Sequence, residues 1–126
     1  MKTLRFLVCG GRDYTDEDVL FSFLDKYIKP LTDKKRVVIL HGDANGADKL
    51  AGRWARRYTN ILEERYPAMW SVHGNRAGPI RNQEMLKTGV DCVIACPGGA
   101  GTNHMVSIAT KKGVKVVHVR PGRVYA

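Results

Sequence analysis

The 126-residue sequence predicts an α/β fold in which helices cover both faces of a parallel sheet. Short apolar runs alternate with amphipathic stretches along the chain, an order typical of repeated strand–helix units. Right-handed crossovers leave few topologies for five strands and four helices in strict alternation. We therefore predict a Rossmann-like, doubly wound parallel sheet with the strand order 3-2-1-4-5. The length suits one domain, residues 1–126.

Apolar runs locate the five strands. The first is nearly continuous, as in a strand that is buried on both faces, whereas the third contains two glutamates and is placed at an edge of the sheet. The predicted strands are residues 4–9, 36–41, 61–65, 91–95 and 114–119.

Capping residues and apolar periodicity locate four helices. The clearest has apolar residues at i, i+3, i+4, i+7, i+8 and i+11. Residues 66–78 are predicted to form a long loop, and the segment after Pro121 is expected to be loose. The helices are expected from the N-cap Thr15 to Pro30, over 47–58, from Pro79 to about Lys87, and from Thr102 to Lys112.

Composition indicates a soluble protein that interacts with an anion. The net charge is +9 and the pI is about 9.7, but the basic residues are dispersed and do not alternate with aromatic ones, so nucleic acid is a possible but less favoured partner. Three cysteines without metal-ligand spacing predict neither disulfides nor a metal site. No apolar stretch suits a signal peptide or a membrane helix, and a cytoplasmic location is expected.

Glycine clusters follow strands one and four, the two strands between which the predicted order reverses. Ligands of open α/β sheets bind at that reversal, outside the carboxyl ends of the strands. Each cluster, Gly10-Gly11 and Gly98-Gly99-Ala100-Gly101, leads towards a helix whose first amides attract phosphate. Glycines after strands also make simple tight turns, but two converging clusters favour a phosphate-binding site.

Four segments, in this order along the chain, resemble the YspA-like branch of the SLOG superfamily. They are VCGGRDY at 8–14, HGDANGAD at 41–48, AGPIRNQEM at 77–85 and PGGAGT at 97–102. Related branches include the DNA-processing protein DprA, the LOG phosphoribohydrolases and sensor domains for NAD-derived nucleotides. The resemblance implies a Rossmann-like fold and a nucleotide or nucleotide-sugar as ligand rather than as cofactor. Relatives commonly form homo-oligomers, so self-association is expected.

The catalytic relatives carry PGGxGTxxE, whose glutamate acts with an arginine on the N-glycosidic bond. The final position of that motif is Met105 in this chain, and a methionine can neither accept a proton nor stabilise an oxocarbenium ion. The resemblance implies that Arg81 can stand in for the family's arginine. Glu84, at i+3 from it, is a candidate carboxylate, although the two side chains can equally form a surface ion pair.

Other polar residues near the strand ends are candidate ligand contacts. Arg12 can fork onto a phosphate, and Asp13 can orient it or cap a turn. Asp43 and Asp48 flank the loop after strand two, where one can accept ribose hydroxyls and Asp43 can instead cap a helix. Trp70 and His73 in the long loop can stack on a base, although a loop tryptophan more often packs on the domain. The candidate ligand-binding set is Gly10, Gly11, Arg12, Asp13, Gly42, Asp43, Asp48, Asn82, Gly98, Gly99, Gly101 and Thr102.

Three functions are compatible with these residues. The favoured hypothesis is a module that binds a nucleoside monophosphate or an NAD- or ADP-ribose-derived nucleotide, as a sensor or to sequester it. The second is an N-glycosidic-bond hydrolase or transferase that uses Glu84 or an aspartate. The third is nucleic-acid binding like that of DprA.

Overall fold

The computed structural model describes residues 1–122 and 124–126 and confirms the predicted sheet. All neighbouring strands are parallel, and their order is β3-β2-β1-β4-β5. The predicted strand bounds hold to within one residue. The strands are β1 Thr3–Cys9, β2 Arg36–His41, β3 Ile61–Arg65, β4 Cys92–Ala95 and β5 Lys115–His118.

The described residues contain five α-helices rather than the predicted four. The additional one, α3, is a single turn within the segment predicted as a loop, and a turn this short has no periodicity to detect. The α-helices are α1 Glu17–Tyr27, α2 Ala47–Ala55, α3 Trp70–His73, α4 Ala77–Lys87 and α5 Ala100–Lys112, with short 3₁₀ segments at Lys29–Asp33 and Gly74–Arg76. None of the described helices is long and apolar enough to cross a membrane.

Several local predictions are corrected by one or two residues. Asp16, rather than Thr15, caps α1, and its carboxylate accepts the amide of Val19. Helix α4 begins two residues before Pro79, which the first turn tolerates because its amides have no partner within the helix. Tyr125 belongs to the segment predicted to be loose, yet it packs on Phe23 and donates its backbone N–H to the Ser22 hydroxyl. Arg123 lies outside the described residues.

The helices divide between the two faces of the sheet. Helices α1 and α2 bury their apolar sides with Phe6, Val8 and Ile39 of the strands. Helices α4 and α5 cover the opposite face, where Leu7 and Leu40 are fully buried. Burial on both faces explains the continuous apolar runs of β1 and β2.

The acidic residues of β3 are accommodated at the sheet edge, as predicted, by basic partners. Glu63 lies 2.6 Å from Nε2 of the buried His41 and 2.7 Å from a guanidinium nitrogen of Arg56, and it also pairs with Arg65. The amide of Asp43 donates to Nδ1 of His41, so Nε2 carries the ring proton and donates it to Glu63. Burial opposes ionisation of Glu63, but the bonds from Arg56, His41 and Arg65 together lower its pKa from 4.5 to about 2.

Replacing Glu63 with glutamine is expected to destabilise the protein at neutral pH, by on the order of 2 kcal/mol, because three basic partners lose their anion. Since the folded-state pKa is lowered, the stability from Glu63 is present above about pH 4.5 and is lost as the pH falls towards 2. The gap between wild type and Glu63→Gln in urea unfolding should therefore shrink across that interval. Glu84→Gln, at an exposed position, serves as the control. A gap that is independent of pH would contradict this account.

Candidate functional site

Three loops meet at Gly11, directly beyond the carboxyl end of β1. Its amide donates to the carbonyl of Pro97, which follows β4, at 2.8 Å. Its carbonyl accepts the first amide of α2, that of Ala47, at 3.2 Å. The glycine clusters after β1 and β4 are thus in direct contact at the point where the strand order reverses.

The glycines of these clusters have two different roles. A β-carbon on Gly10 would come within 2.7 Å of side chains on both neighbouring loops, and one on Gly98 would come within 2.7 Å of the amide of Gly11. Both positions therefore need glycine for packing. Gly99 and Gly101, in contrast, face open space, and a β-carbon added at either would have no atom of another residue within 4 Å.

A cavity of about 540 Å³ opens over this junction. Its wall includes most of the predicted ligand-binding residues, together with Arg81. The predicted residues that line it are Gly10, Gly11, Arg12, Asp13, Asp48, Arg81, Asn82, Gly99, Gly101 and Thr102.

Four residues of the predicted ligand-binding and catalytic sets are not part of the cavity wall. Gly42 and Gly98 lie directly behind it and pack against wall residues, Arg81 and Thr102 respectively. Asp43 is turned towards β3 and pairs with Lys49 at 2.8 Å, and the described structure gives α2 no side-chain cap. Glu84 is exposed on α4 and makes no ion pair with Arg81 among the described residues.

One wall of the cavity is the N-terminus of α5. Gly99 is its N-cap and offers no side chain to the helix amides, and the first turn contains no acidic residue. The amides of this turn and the positive end of the helix dipole therefore favour an anion. Met105, one turn further, is 1% exposed and packed in the core.

Arg81 links the cavity to the loop after β2. Its Nη1 donates to the carbonyls of Gly42 at 2.6 Å and Tyr66 at 3.3 Å, and its Nε donates to Asn82 Oδ1 at 3.0 Å. Burial lowers the pKa of this guanidinium, and the nearby Asp48 carboxylate partly offsets that effect. Arg81 is thus a positioned cation in the wall rather than a mobile surface group.

Asp48, in the first turn of α2, is a buried carboxylate of the cavity. Its Oδ2 accepts the amides of Gly42 at 3.0 Å and Ala44 at 3.4 Å. Burial raises the pKa of Asp48, although both amides and Arg81 favour its charged form. Asp48 therefore both holds the loop at residues 42–44 through its two amides and contributes a carboxylate to the cavity wall.

Two aromatic side chains outside the predicted ligand-binding set also line the cavity. Trp70 of α3 is 47% exposed and lies under the Arg12 guanidinium, 5.1 Å from ring centroid to Cζ. His104 of α5 lies 3.1 Å from Asn82 through Nδ1. In the sequence, the unusual length of the segment between β3 and α4 is what indicates a functional role for Trp70. His73 belongs to the same segment but does not line the cavity.

A larger cavity, of about 740 Å³, lies elsewhere, between α1, β5 and the C-terminal residues. Its wall combines apolar side chains, such as Phe6, Ile94 and Val117, with four basic ones, and it contains none of the glycine loops; the basic residues are Lys26, Lys115, His118 and Arg120. Both cavities therefore combine apolar walls with polar groups, as sites for small ligands do. The smaller cavity is the candidate site because it lies at the strand reversal, where ligands of open α/β sheets bind.

Comparisons with known proteins agree with this architecture. The chain matches the YspA, cpYpsA-related SLOG family over residues 4–73. It is 34% identical over 120 residues to the gene 61 protein of Mycobacterium phage D29, an alignment that covers 90% of this chain and 94% of that protein. The crystal structure of TM1055, a structural genomics target, superposes with a TM-score of 0.59 at 16% identity over 92% of this chain and 72% of that one, which supports the fold alone. This chain therefore belongs to the YspA, cpYpsA-related SLOG family.

Proposed function

We propose that the cavity at the strand reversal binds a phosphate-bearing nucleotide, either a nucleoside monophosphate or a nucleotide derived from NAD or ADP-ribose. Family membership supports a nucleotide-related role in the broad sense. The observation that carries the finer proposal is the N-terminus of α5, where uncapped amides face an open cavity beside Gly99 and Gly101. Backbone amides at a helix N-terminus bind phosphate without needing a basic side chain.

Binding without catalysis is favoured over N-glycosidic cleavage. Met105 occupies the position of the relatives' glutamate and is buried in the core, and the alternative carboxylate, Glu84, is exposed outside the cavity. Asp13 and Asp48 are the remaining carboxylates of the cavity wall. A role as sensor or sequestering module fits this arrangement.

Nucleic-acid binding is less favoured because the basic residues are dispersed along the chain and do not alternate with aromatic ones. Five of the 21 lysines and arginines also form ion pairs with carboxylates, which weakens the positive field at those positions. These five are Arg5, Lys49, Arg53, Arg56 and Arg65.

Gly99→Asp tests the phosphate site. We expect the variant to lose at least about tenfold in affinity for a nucleotide, because the new carboxylate occupies the space and the field that would hold an anion. The fold should be unaffected or slightly stabilised, since the position has room for a side chain and aspartate is a good N-cap. Gly99→Asn is the matched control: it has the same size and capping ability but no charge.

Binding is measured by calorimetry with the four nucleoside monophosphates, NAD and ADP-ribose, and the ligand is recovered for mass spectrometry. Equal affinities in wild type and Gly99→Asp would reject the phosphate site. Release of a free base would favour the N-glycosidase instead. An affinity for DNA that falls steeply with salt, without affinity for nucleotides, would favour the nucleic-acid hypothesis.

A further inference from the structure

The Asp48 carboxylate has one oxygen that the protein does not use. Asp48 is 6% exposed, and the backbone amides of Gly42 and Ala44 both donate to its Oδ2. Oδ1 has no hydrogen-bond partner within the described part of the chain, and it is accessible from the cavity that Asp48 lines. A ligand that covers this oxygen must supply a donor, because a carboxylate oxygen buried without one is costly.

Arg81, in the same cavity wall, offers a donor. Arg81 uses Nε and Nη1 for protein acceptors, whereas Nη2 has none among the described residues. The guanidinium and the carboxylate do not form an ion pair, but both contact Gly42: Arg81 Nη1 donates to its carbonyl, and its amide donates to Asp48 Oδ2. A donor and an acceptor side by side suit a ligand group that both accepts and donates, and a hydroxyl is the simplest such group.

This pair is also well placed relative to the proposed phosphate site. The N-terminus of α2, which carries Asp48, and the loop that precedes α5 both bond to the same residue, Gly11. Both features line the same cavity of about 540 Å³, a volume that suits a small ligand such as a sugar phosphate. The carboxylate repels phosphate, so the phosphate belongs at α5 and the sugar at Asp48.

We propose that Asp48, with Arg81 beside it, binds the ribose hydroxyls of the nucleotide and makes the site selective for ribonucleotides over 2′-deoxyribonucleotides. This inference rests on the proposed function, since it assigns the sugar of the same ligand. A 2′-deoxy ligand leaves Oδ1 of Asp48 buried without a donor. A site built to bond a hydroxyl discriminates strongly against the analogue that lacks it.

The experiment compares the four 5′-ribonucleoside monophosphates with their 2′-deoxy counterparts, by calorimetry, on wild type and on Asp48→Asn. For the base that wild type prefers, we expect the ribonucleotide to bind at least about tenfold more tightly than the deoxyribonucleotide. Asp48→Asn keeps an oxygen for the two loop amides, and its preference should fall below about threefold. Thermal unfolding checks that the variant is folded, and the comparison on wild type needs no variant.

The outcomes separate this inference from the proposed function. Equal binding of ribo- and deoxyribonucleotides to wild type overturns the ribose assignment but leaves the nucleotide site in place. The assignment is also overturned if Asp48→Asn keeps the preference for ribonucleotides. It is overturned as well if affinity depends on the base alone and not on the 2′-hydroxyl. If no monophosphate binds to wild type, the proposed function itself fails for this ligand class.

Discussion

Replacing Arg81 with methionine is expected to cost about 3 kcal/mol of stability and to remove nucleotide binding. The methionine fills much of the same space, but the carbonyls of Gly42 and Tyr66 lose their donor, and the buried Asp48 carboxylate loses its nearest cation. Each unsatisfied buried group costs about 1–3 kcal/mol. For a domain of this size the melting temperature should fall by roughly 10 °C.

The control is Arg76→Met, which removes an exposed arginine from the adjacent turn and should have little effect.

A double variant tests whether the unpaired charge of Asp48 causes part of the loss of stability in Arg81→Met. Adding Asp48→Asn to Arg81→Met removes the uncompensated charge, so the double variant should lose less stability than the two single effects add up to. Additive effects, or an Arg81→Met variant as stable as wild type, would show that Arg81 does not hold the loop.

Replacing Gly46 with alanine is expected to be the most damaging small substitution in the loops, with a loss of roughly 3 kcal/mol or more. Gly46 has φ +80°, a conformation that L residues rarely adopt, and a β-carbon there would collide with the carbonyl of Gly11. The collision pushes apart the two loops that the Ala47 amide joins. Guanidinium unfolding measures the loss of stability, and calorimetry the loss of nucleotide affinity.

Gly74→Ala separates backbone strain from collision. Gly74 has φ +57° and ψ -134°, close to the φ +80° and ψ -128° of Gly46, but nothing lies within 4 Å of its added β-carbon. Its substitution should therefore cost only the backbone strain, about 1–2 kcal/mol. Similar losses in the two variants would mean that the contact between Gly46 and Gly11 contributes little.

The position of the candidate cavity could be predicted from the sequence, whereas the surroundings of several of its predicted residues could not. Two glycine clusters after apolar runs locate the strand reversal, because that inference needs only the order of elements along the chain. Asp43 and Asp48 are indistinguishable at this level, since both flank the same loop. The structure separates them: Asp43 pairs with Lys49 away from the cavity, and Asp48 is buried in its wall.

On α4, the orientation of the helix explains why Arg81 lines the cavity and Glu84 does not. Arg81 and Glu84 are three residues apart, a spacing that permits a shared face, but only the packing of α4 decides which way that face points. The buried residues of this helix include Asn82 and Met85, so Arg81 reaches inward along their edge while Glu84 is exposed. No local pattern identifies His104, because its partner, Asn82, is 22 residues away on another helix.

The sequence by itself determined the α/β class, the strand order and the edge of the sheet where the candidate site lies. These depend on local signals, namely apolar periodicity, glycine positions and the handedness of crossovers, which act over a few residues. Only the tertiary structure decided which side chains face the cavity, how Arg81 and Asp48 both bond to Gly42, and how Glu63 is stabilised by His41 from the neighbouring strand. Those arrangements depend on contacts between residues far apart in the chain, whose geometry no local pattern encodes.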